Sequence, residues 1–248
     1  MNTIKSAKKP SGYIIYRGPS LLDGLPIVVV AITKKSTNVK TGDVVQTYIL
    51  TDNAQSPVVN AKTLADESIC GECPHRRGLG GSCYVNLGQG PRAVADGVVR
   101  GIYPEDLLSA CSASADRVVR LGTYGDPAAV PAQIWDALVA QSSGHMGYTH
   151  QWKSGKSDHV MHLCMASADS AADRVLAKIA GYRTFRVRTE AEEVVKGEFV
   201  CPASEEGGKR KTCATCQACD GGVNTRKADP VIIVHGSLAK RFIPILSA

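Results

Sequence analysis

The densest group of potential metal ligands is a set of four cysteines, which we call the C-terminal cysteine set. It follows the pattern Cys201-x11-Cys213-x2-Cys216-x2-Cys219. Four thiolates can close a tetrahedral zinc site or hold an iron–sulfur cluster. Zinc sites usually combine two separated pairs of ligands, whereas consecutive x2 spacings are typical of ferredoxins. The spacing therefore favours a [4Fe-4S] cluster, and zinc stays open as the alternative.

A second group, the N-terminal cysteine set, contains only three thiols: Cys70, Cys73 and Cys83 in the turn-rich loop 66–90. A cluster held by three cysteines has one iron free for a substrate or cofactor. A zinc ion on the same thiols would need His75 or an open water position. Such a zinc ion could also serve only to pin the loop. The remaining two cysteines, at positions 111 and 164, are predicted to be small core residues.

Polar side chains follow several of the predicted strands. Because β/α folds place their active sites at the carboxyl ends of parallel strands, we expect these side chains to line one mouth. The candidate catalytic residues are Tyr124, Asp126, His150, Lys153, Asp169 and Arg188. Some have simpler interpretations: both aspartates precede helices and suit N-caps, and the histidine could be a core residue.

Apolar patterning predicts the elements that carry these residues. Strands are expected at Tyr13–Tyr16, Pro26–Thr33, Val45–Thr51, Arg117–Leu121, Met146–His150, Val160–Ala166, Arg183–Arg188 and Val231–His235. Helices are expected from Pro91, over Pro131–Gln141 and over Ser170–Ala180. The second and third strands are interpreted as a hairpin with a long turn.

The alternation of strands and helices predicts an α/β fold with a parallel sheet. A complete eight-unit barrel takes about 250 residues, and the early strands and cysteine loops use much of this chain. We therefore expect a partial or distorted β/α (TIM-like) barrel with an N-terminal β-hairpin and cysteine-rich metal-binding loops. The expected divisions are a basic flexible tail at 1–11, a β segment at 12–65 and a catalytic domain at 66–248, with cysteine loops at 66–90 and 201–222.

Composition narrows the class of protein. The 248 residues are 44% hydrophobic and 21% charged, which is typical of a globular protein. The sequence contains no run of 18 apolar residues, so no membrane span is predicted. The first residues do not resemble a secretory signal. We therefore expect a cytoplasmic protein, in which nine cysteines indicate metal binding more than disulfides. The net charge of +6 permits an anionic substrate or a nucleic acid.

The order of the motifs resembles that of phage-encoded, radical-SAM-like three-cysteine barrel proteins. The matching segments are Cys83-Tyr84, Gly122–Pro127, Val130-Pro131, His150–Lys153 and Ala166–Arg174, within about residues 68–190. The resemblance implies a [4Fe-4S] cluster on Cys70, Cys73 and Cys83, with S-adenosylmethionine on the open iron, in the cytoplasm of a host cell. The spacing here is C-x2-C-x9-C, whereas that of radical-SAM enzymes is usually C-x3-C-x2-C. The C-terminal cysteine set would resemble an auxiliary cluster.

A second resemblance is to transglycosylases that exchange guanine for a deazaguanine. These enzymes also combine a barrel, strand-end aspartates and a zinc site near the C-terminus. Asp126 and Asp169 would then be nucleophile and base, and His235 would follow the zinc cysteines. The glycine-rich substrate motif of that family is not found.

Three functions follow from these observations. The first is an iron–sulfur enzyme, radical-SAM-like, that modifies a nucleotide or nucleic acid. The second is a zinc-dependent enzyme that exchanges bases in DNA. The third is a non-catalytic, zinc-stapled protein that binds nucleic acid through its basic tail and loops.

Overall fold

Segments rich in Val, Ile and Tyr form most of the strands, because β-branched and aromatic side chains pack well on a pleated surface. The structure, a computed structural model, describes residues 9–223 and 228–243. Its strands are β1 (Gly12–Pro19), β2 (Pro26–Ile32), β3 (Val44–Thr51), β4 (Val118–Tyr124), β5 (Gly144–Met146), β6 (Tyr148–Thr149), β7 (Met165–Ala168), β8 (Thr184–Arg188), β9 (Glu198–Val200) and β10 (Asp229–Ile233).

Short helices connect these strands. They are α1 (Pro57–Thr63), α2 (Glu67–Cys70), α3 (Gly90–Val99), α4 (Leu107–Ser114), α5 (Ala132–Val139), α6 (Ala171–Ile179) and α7 (Cys213–Cys216). The side chains of Ser56, Asp106 and Ser170 cap α1, α4 and α6 by accepting a bond from a backbone N–H in the first turn. Within the described ranges, no helix has the length and apolar character needed to cross a bilayer.

The strands form two sheets that meet at one residue. The first has the order β1-β2-β3-β4-β5 and the second the order β6-β7-β8-β10-β9. Only Gly147 separates β5 from β6, and its carbonyl accepts a hydrogen bond from the Met165 N–H at 2.9 Å. All neighbours from β3 onward are parallel, whereas β1, β2 and β3 are antiparallel.

The predicted α/β class is confirmed, but the sheets do not close into a barrel. Among the described strands, β1 and β9 each have one neighbour and do not pair with each other. The predicted N-terminal hairpin is present, since β2 and β3 pair antiparallel from Ile27 with Thr51 to Ile32 with Gln46. Residues 1–8 of the predicted basic tail lie outside the described residues.

The predicted strand Val160–Ala166 is wrong in its first half. Residues Asp158–Val160 form a 3-10 turn, and the strand begins only at Met165. Val160, Leu163 and Cys164 are nevertheless fully or almost fully buried, because this turn packs into the main core. An apolar run of this length fits a buried turn as well as a buried strand, and periodicity does not separate the two.

The main core lies between the first sheet and helices α4 and α5. Trp135 on α5 is completely buried, and its indole N–H donates to the Pro127 carbonyl at 3.0 Å. Leu138, one turn later on the same helix, is buried beside it. This packing holds the carboxyl end of β4 and the loop after it in a fixed position.

Candidate functional site

A cavity of about 470 Å³ lies along one face of the parallel strands. Side chains alternate between the two faces of a strand, so each strand contributes every second residue to the cavity. On β8 these residues are Phe185 and Val187, and on β10 they include Ile232. The cavity therefore has an apolar floor, with polar residues contributed by the strand ends and loops around it.

All seven cysteines of the two sets line this one cavity. The loop 66–90 brings the N-terminal set to one side, and the segment 201–219 brings the C-terminal set to another. The sets are far apart in sequence, and nothing in the spacing of either required them to meet. The structure thus gathers both cysteine sets around a single cavity.

A buried glutamine fixes the N-terminal cysteine set relative to the strands. Gln151, which is fully buried, donates from its amide nitrogen to the Cys70 carbonyl at 2.9 Å and accepts from the Glu72 N–H at 3.2 Å. Arg76 anchors the same loop through Asp66, whose carboxylate lies 2.7 Å from the guanidinium. Arg76 is therefore a buried structural residue and not a solvated or phosphate-binding one.

Gly71 allows this glutamine to approach the loop. Its φ is +53°, and a Cβ built there would lie 2.3 Å from Gln151 Oε1. We expect Gly71→Ala to lower the free energy of unfolding by about 2 kcal/mol, from backbone strain and the clash together. Gly80→Ala is the matched control, since Gly80 has φ +77° but nothing within 4 Å of its Cβ position. Urea unfolding of both variants measures the difference, and equal losses would show that the contact with Gln151 is unimportant.

Two sets of contacts fix the C-terminal cysteine set. The Cys213 and Ala214 N–H groups donate to the carbonyls of Lys40 and Thr41 at 3.1 and 2.9 Å, which docks α7 on the turn before β3. On the other side, the buried Arg183 guanidinium donates to the Ala218 carbonyl at 3.2 Å and to the Asp220 carboxylate at 2.7 Å. These bonds place the segment around Cys219 against the sheet.

The thiols lie near one another and are at least half-buried, which makes them costly to ionise without a cation. Burial raises the pKa of Cys70 well above its usual range, and the neighbouring Cys73 and Cys83 raise it further. Burial likewise raises the pKa of Cys219 far above its usual range, with a smaller contribution from the other thiols of its set. A bound metal that accepts thiolate ligands would remove this penalty.

Two cations lie beside the C-terminal cysteine set. Lys40 is close to Cys201 and Cys213, and burial lowers its pKa. Arg120 is close to Cys213, where it opposes the rise in the thiol pKa that burial causes. The Tyr148 hydroxyl is hydrogen-bonded to Cys219. Positive charge and a hydrogen-bond donor thus surround these sulfurs.

The thiols are gathered but not in close contact. In the described residues, one group of three or more His, Cys, Asp or Glu side chains has its ligand atoms all within 4.8 Å, and it contains no cysteine. Thiolates on one tetrahedral zinc ion, with Zn–S bonds of about 2.3 Å, lie about 3.8 Å apart. Neither cysteine set therefore has the compact arrangement of a single-ion zinc site.

The compact group consists of His75, His150 and Asp169. His75 Nε2 lies 2.9 Å and His150 Nε2 3.7 Å from Asp169 Oδ1. The Asp169 side chain is only 1% exposed. The three residues come from the cysteine loop, the end of β6 and the end of β7, and all of them line the cavity.

Four of the six predicted catalytic residues reach the cavity: Tyr124, Asp126, His150 and Asp169. The Tyr124 hydroxyl has no hydrogen-bond partner among the described residues, and burial raises its pKa well above the usual value. Asp126 is the predicted N-cap, accepting from the Ala128 N–H at 3.0 Å and also from the His150 N–H at 2.8 Å. Asp169 is not the cap of α6, because Ser170 takes that role.

Lys153 and Arg188 were predicted at the same mouth, but neither lines the cavity. Lys153 Nζ is paired with the buried Asp173 carboxylate at 2.8 Å. Arg188 lies on the face of β8 opposite to Phe185 and Val187, where it bonds Glu206 and the Glu192 carbonyl. Side chains alternate between the two faces of a strand, so Arg188, one residue after Val187, points away from the cavity. The prediction for Arg188 was wrong for this reason.

Sequence patterns indicate the other residues that shape the site only weakly. His75 was considered only as an extra zinc ligand, and its meeting with Asp169 depends on how the loop folds. Lys40 and Gln151 stand in polar segments that look like ordinary loops. His235 lines the cavity, but its Nε2 lies 3.0 Å from Lys40 Nζ and it belongs to no compact ligand group in the described ranges.

Comparisons of the chain with protein-family models, with curated proteins and with solved structures found no match.

Proposed function

We propose that the chain is an iron–sulfur enzyme, radical-SAM-like, that modifies a nucleotide or nucleic acid. The observation that carries the proposal is the convergence of all seven set cysteines on one cavity. Thiols at this density, mostly half-buried around one cavity, match the ligands that iron–sulfur clusters require. Cys70, Cys73 and Cys83 would hold one cluster, and Cys201, Cys213, Cys216 and Cys219 would hold the other.

The spacing of the thiols supports clusters over single zinc ions. A zinc ion draws its thiolates to within about 3.8 Å of one another. In a [4Fe-4S] cluster each thiolate binds a different iron, at a different corner of the cube, so the sulfurs are farther apart. The absence of any compact group of three thiols in the described part of the chain agrees with the wider arrangement.

The two sets suit different tasks. The C-terminal set has four thiols, which would occupy all four irons of a cluster. The two adjacent cations, Lys40 and Arg120, would offset the negative charge of four thiolates. The N-terminal set has three, which leaves one iron for a further ligand. S-adenosylmethionine on that iron would supply, on reduction, a carbon radical for the modification.

The net charge of the chain and the shape of the cavity favour one class of substrate. The chain carries a net charge of +6, and the cavity has an apolar floor beneath polar side chains. A planar base would contact Phe185 and Val187, while its phosphates would remain near basic loops. These features suit a nucleotide, either free or extruded from a strand.

The base-exchange alternative has less support. It requires Asp126 as a free nucleophile or base, but both carboxylate oxygens of Asp126 accept bonds from backbone N–H groups. It also requires a zinc site on Cys213, Cys216, Cys219 and His235, which do not form a compact group in the described residues. The third function, a zinc-stapled binding protein, also has less support, because neither cysteine set forms a compact group in the described residues.

Iron and sulfide analysis of protein purified without oxygen tests the proposal. We expect a brown protein with about 8 irons and 8 sulfides per chain, as two [4Fe-4S] clusters require. The triple variant Cys70→Ser/Cys73→Ser/Cys83→Ser should lose about half of each and should no longer cleave S-adenosylmethionine to 5′-deoxyadenosine. The remaining half should stay with the C-terminal set.

Cys111→Ser is the matched control, since its thiol donates to the Ala137 carbonyl at 3.2 Å, away from the cavity. This variant should keep all its iron and sulfide. A colourless protein with stoichiometric zinc would disprove the iron–sulfur proposal, as would unchanged iron in the triple variant.

A further inference from the structure

We propose that His75, His150 and Asp169 bind one divalent transition-metal ion, separate from the metal bound by the cysteines. Two imidazoles and one carboxylate form the ligand set that proteins use for mononuclear Fe²⁺, and the same groups bind Zn²⁺. The inference goes beyond the proposed function. His150 also contacts Cys73, so this ion would be a neighbour of any metal on the N-terminal cysteine set, but the three ligands do not require that metal to be a cluster.

The distances between the three ligand atoms fit one ion. Ligands at about 2.1 Å from a metal lie about 3.0 Å apart at octahedral angles and about 3.4 Å apart at tetrahedral angles. The observed separations of His75 Nε2 and His150 Nε2 from Asp169 Oδ1 are 2.9 and 3.7 Å, which bracket these values. All three ligand atoms lie within 4.8 Å of one another.

The carboxylate of Asp169 is almost completely buried and lies beside both imidazoles. It is 1% exposed, and neither of its oxygens has a hydrogen-bond partner of normal geometry in the described residues. His75 Nε2 lies 2.9 Å and His150 Nε2 3.7 Å from Asp169 Oδ1, so the two imidazoles are the groups that face this carboxylate. A buried carboxylate is costly unless it is paired or binds a metal. An ion between these atoms would neutralise the carboxylate and take both imidazoles as ligands.

Surrounding residues hold the ligands in place, as in established metal sites. Ser82 Oγ lies 2.9 Å from His75 Nδ1, and a proton on Nδ1 would leave Nε2 free to bind a metal. The Asp126 carboxylate accepts a hydrogen bond from the His150 N–H at 2.8 Å, which fixes the backbone at His150. The Asp169 N–H donates to Asp173 Oδ2 at 3.2 Å.

The ring of His75 has a further constraint. Phe242 stacks on it with ring centroids 5.4 Å apart and an interplanar angle of 20°. Gly81 permits the close packing of the loop there, since a Cβ at Gly81 would lie 2.4 Å from the His75 backbone. The ligand set is therefore rigid on both sides, while the cavity offers space for water or a substrate oxygen as the remaining ligands.

The test measures metals and inorganic sulfide together in the full chain purified without oxygen. A mononuclear site adds one metal per chain but no sulfide, so total metal should exceed sulfide by one equivalent. We expect Asp169→Asn to remove that one equivalent and to leave sulfide unchanged. After a chelator has removed that one equivalent, titration with Co²⁺ should give a visible d–d band that saturates at one equivalent in the wild type and is absent in Asp169→Asn.

The control is His162→Gln, because His162 forms a similar histidine–aspartate pair with Asp136 at 2.8 Å, but on the surface. It should keep the extra metal and the cobalt band. If Asp169→Asn fails to fold by circular dichroism, His75→Gln replaces it.

Two results would overturn the inference. One is a wild type with no metal in excess of sulfide and no saturable cobalt band. The other is a loss of sulfide together with metal in the variant, which would assign the three residues to a cluster. A protein without sulfide that still binds one metal through Asp169 would refute the iron–sulfur proposal and leave this inference standing.

Discussion

Arg183→Met is expected to lower the free energy of unfolding by about 3 kcal/mol and to weaken metal binding by the C-terminal cysteine set. Arg183 is buried and lies 3.1 Å from the Asp229 carboxylate, which is 1% exposed. Removing one partner of a buried ion pair leaves a charge in a poorly solvated place, which costs about 3–5 kcal/mol. Lys178 also contacts Asp229, so we expect the lower end of this range.

The effect on the metal site follows from the other bonds of the same guanidinium. Arg183 donates to the carbonyls of Ala218 and Gly221 and to Asp220, all within two residues of Cys219 in sequence. Methionine has a similar length but cannot replace these donors. Backbone carbonyls that were fixed by the arginine would become free to move, and Cys219 with them.

Urea unfolding, together with the iron content of the purified variant, measures both effects. Arg92→Met is the control, since Arg92 pairs with Asp96 on the surface at 3.8 Å and both side chains are more than half exposed. Exposed pairs of this kind contribute less than about 1 kcal/mol. If Arg183→Met cost no more than Arg92→Met, the buried network would not be what positions the cysteines.

The order of elements could be predicted from the sequence because local patterns determine it. Strands β2, β3, β8 and β10 and helices α5 and α6 lie within two residues of their expected positions. Their apolar residues repeat with the period of a strand or a helix, and residues such as Ser170 cap the helices. The α/β class follows from that order alone.

The face of a strand and the course of a loop were harder to predict. Arg188 was placed at the cavity because it ends a strand, but Val187 faces the cavity instead. Lys153 was predicted to line the cavity, but it pairs with Asp173 on α6, and this pairing could not be predicted from sequence alone. Long-range contacts of this kind depend on packing, which a linear pattern does not encode.

In the candidate site, too, local patterns could be predicted from the sequence and long-range contacts could not. The members of each cysteine set could be identified from their spacing. That the sets share a cavity could not, because it depends on the docking of α7 on residues 40 and 41 and on the bonds of Gln151. His75 and Asp169 meet through the same loop packing.

The C-terminal cysteine set should matter most for the stability of its own segment. Between Cys201 and Gly221 the buried apolar side chains are few, namely Cys201, Ala203 and Ala218. The one helix of this segment, α7, has only four residues. Such a segment cannot bury enough apolar surface to offset the entropy of ordering its backbone. Where a core is this small, bound metal contributes directly to folding.

We therefore expect Cys216→Ser to reduce the protection of backbone amides from hydrogen exchange in 201–221 by at least about 100-fold, or about 2.7 kcal/mol. The thiol of Cys216 is only partly buried, so the change itself removes little packing. Amides of β2 and β3 should keep their protection, because their bonds lie within the antiparallel pair. Cys73→Ser is the matched comparison: Gln151 and Arg76 hold the N-terminal loop without metal, so its amides should lose far less protection. Equal losses of protection in both loops would contradict the proposal that metal on the C-terminal set stabilises its segment while metal on the N-terminal set serves the reaction.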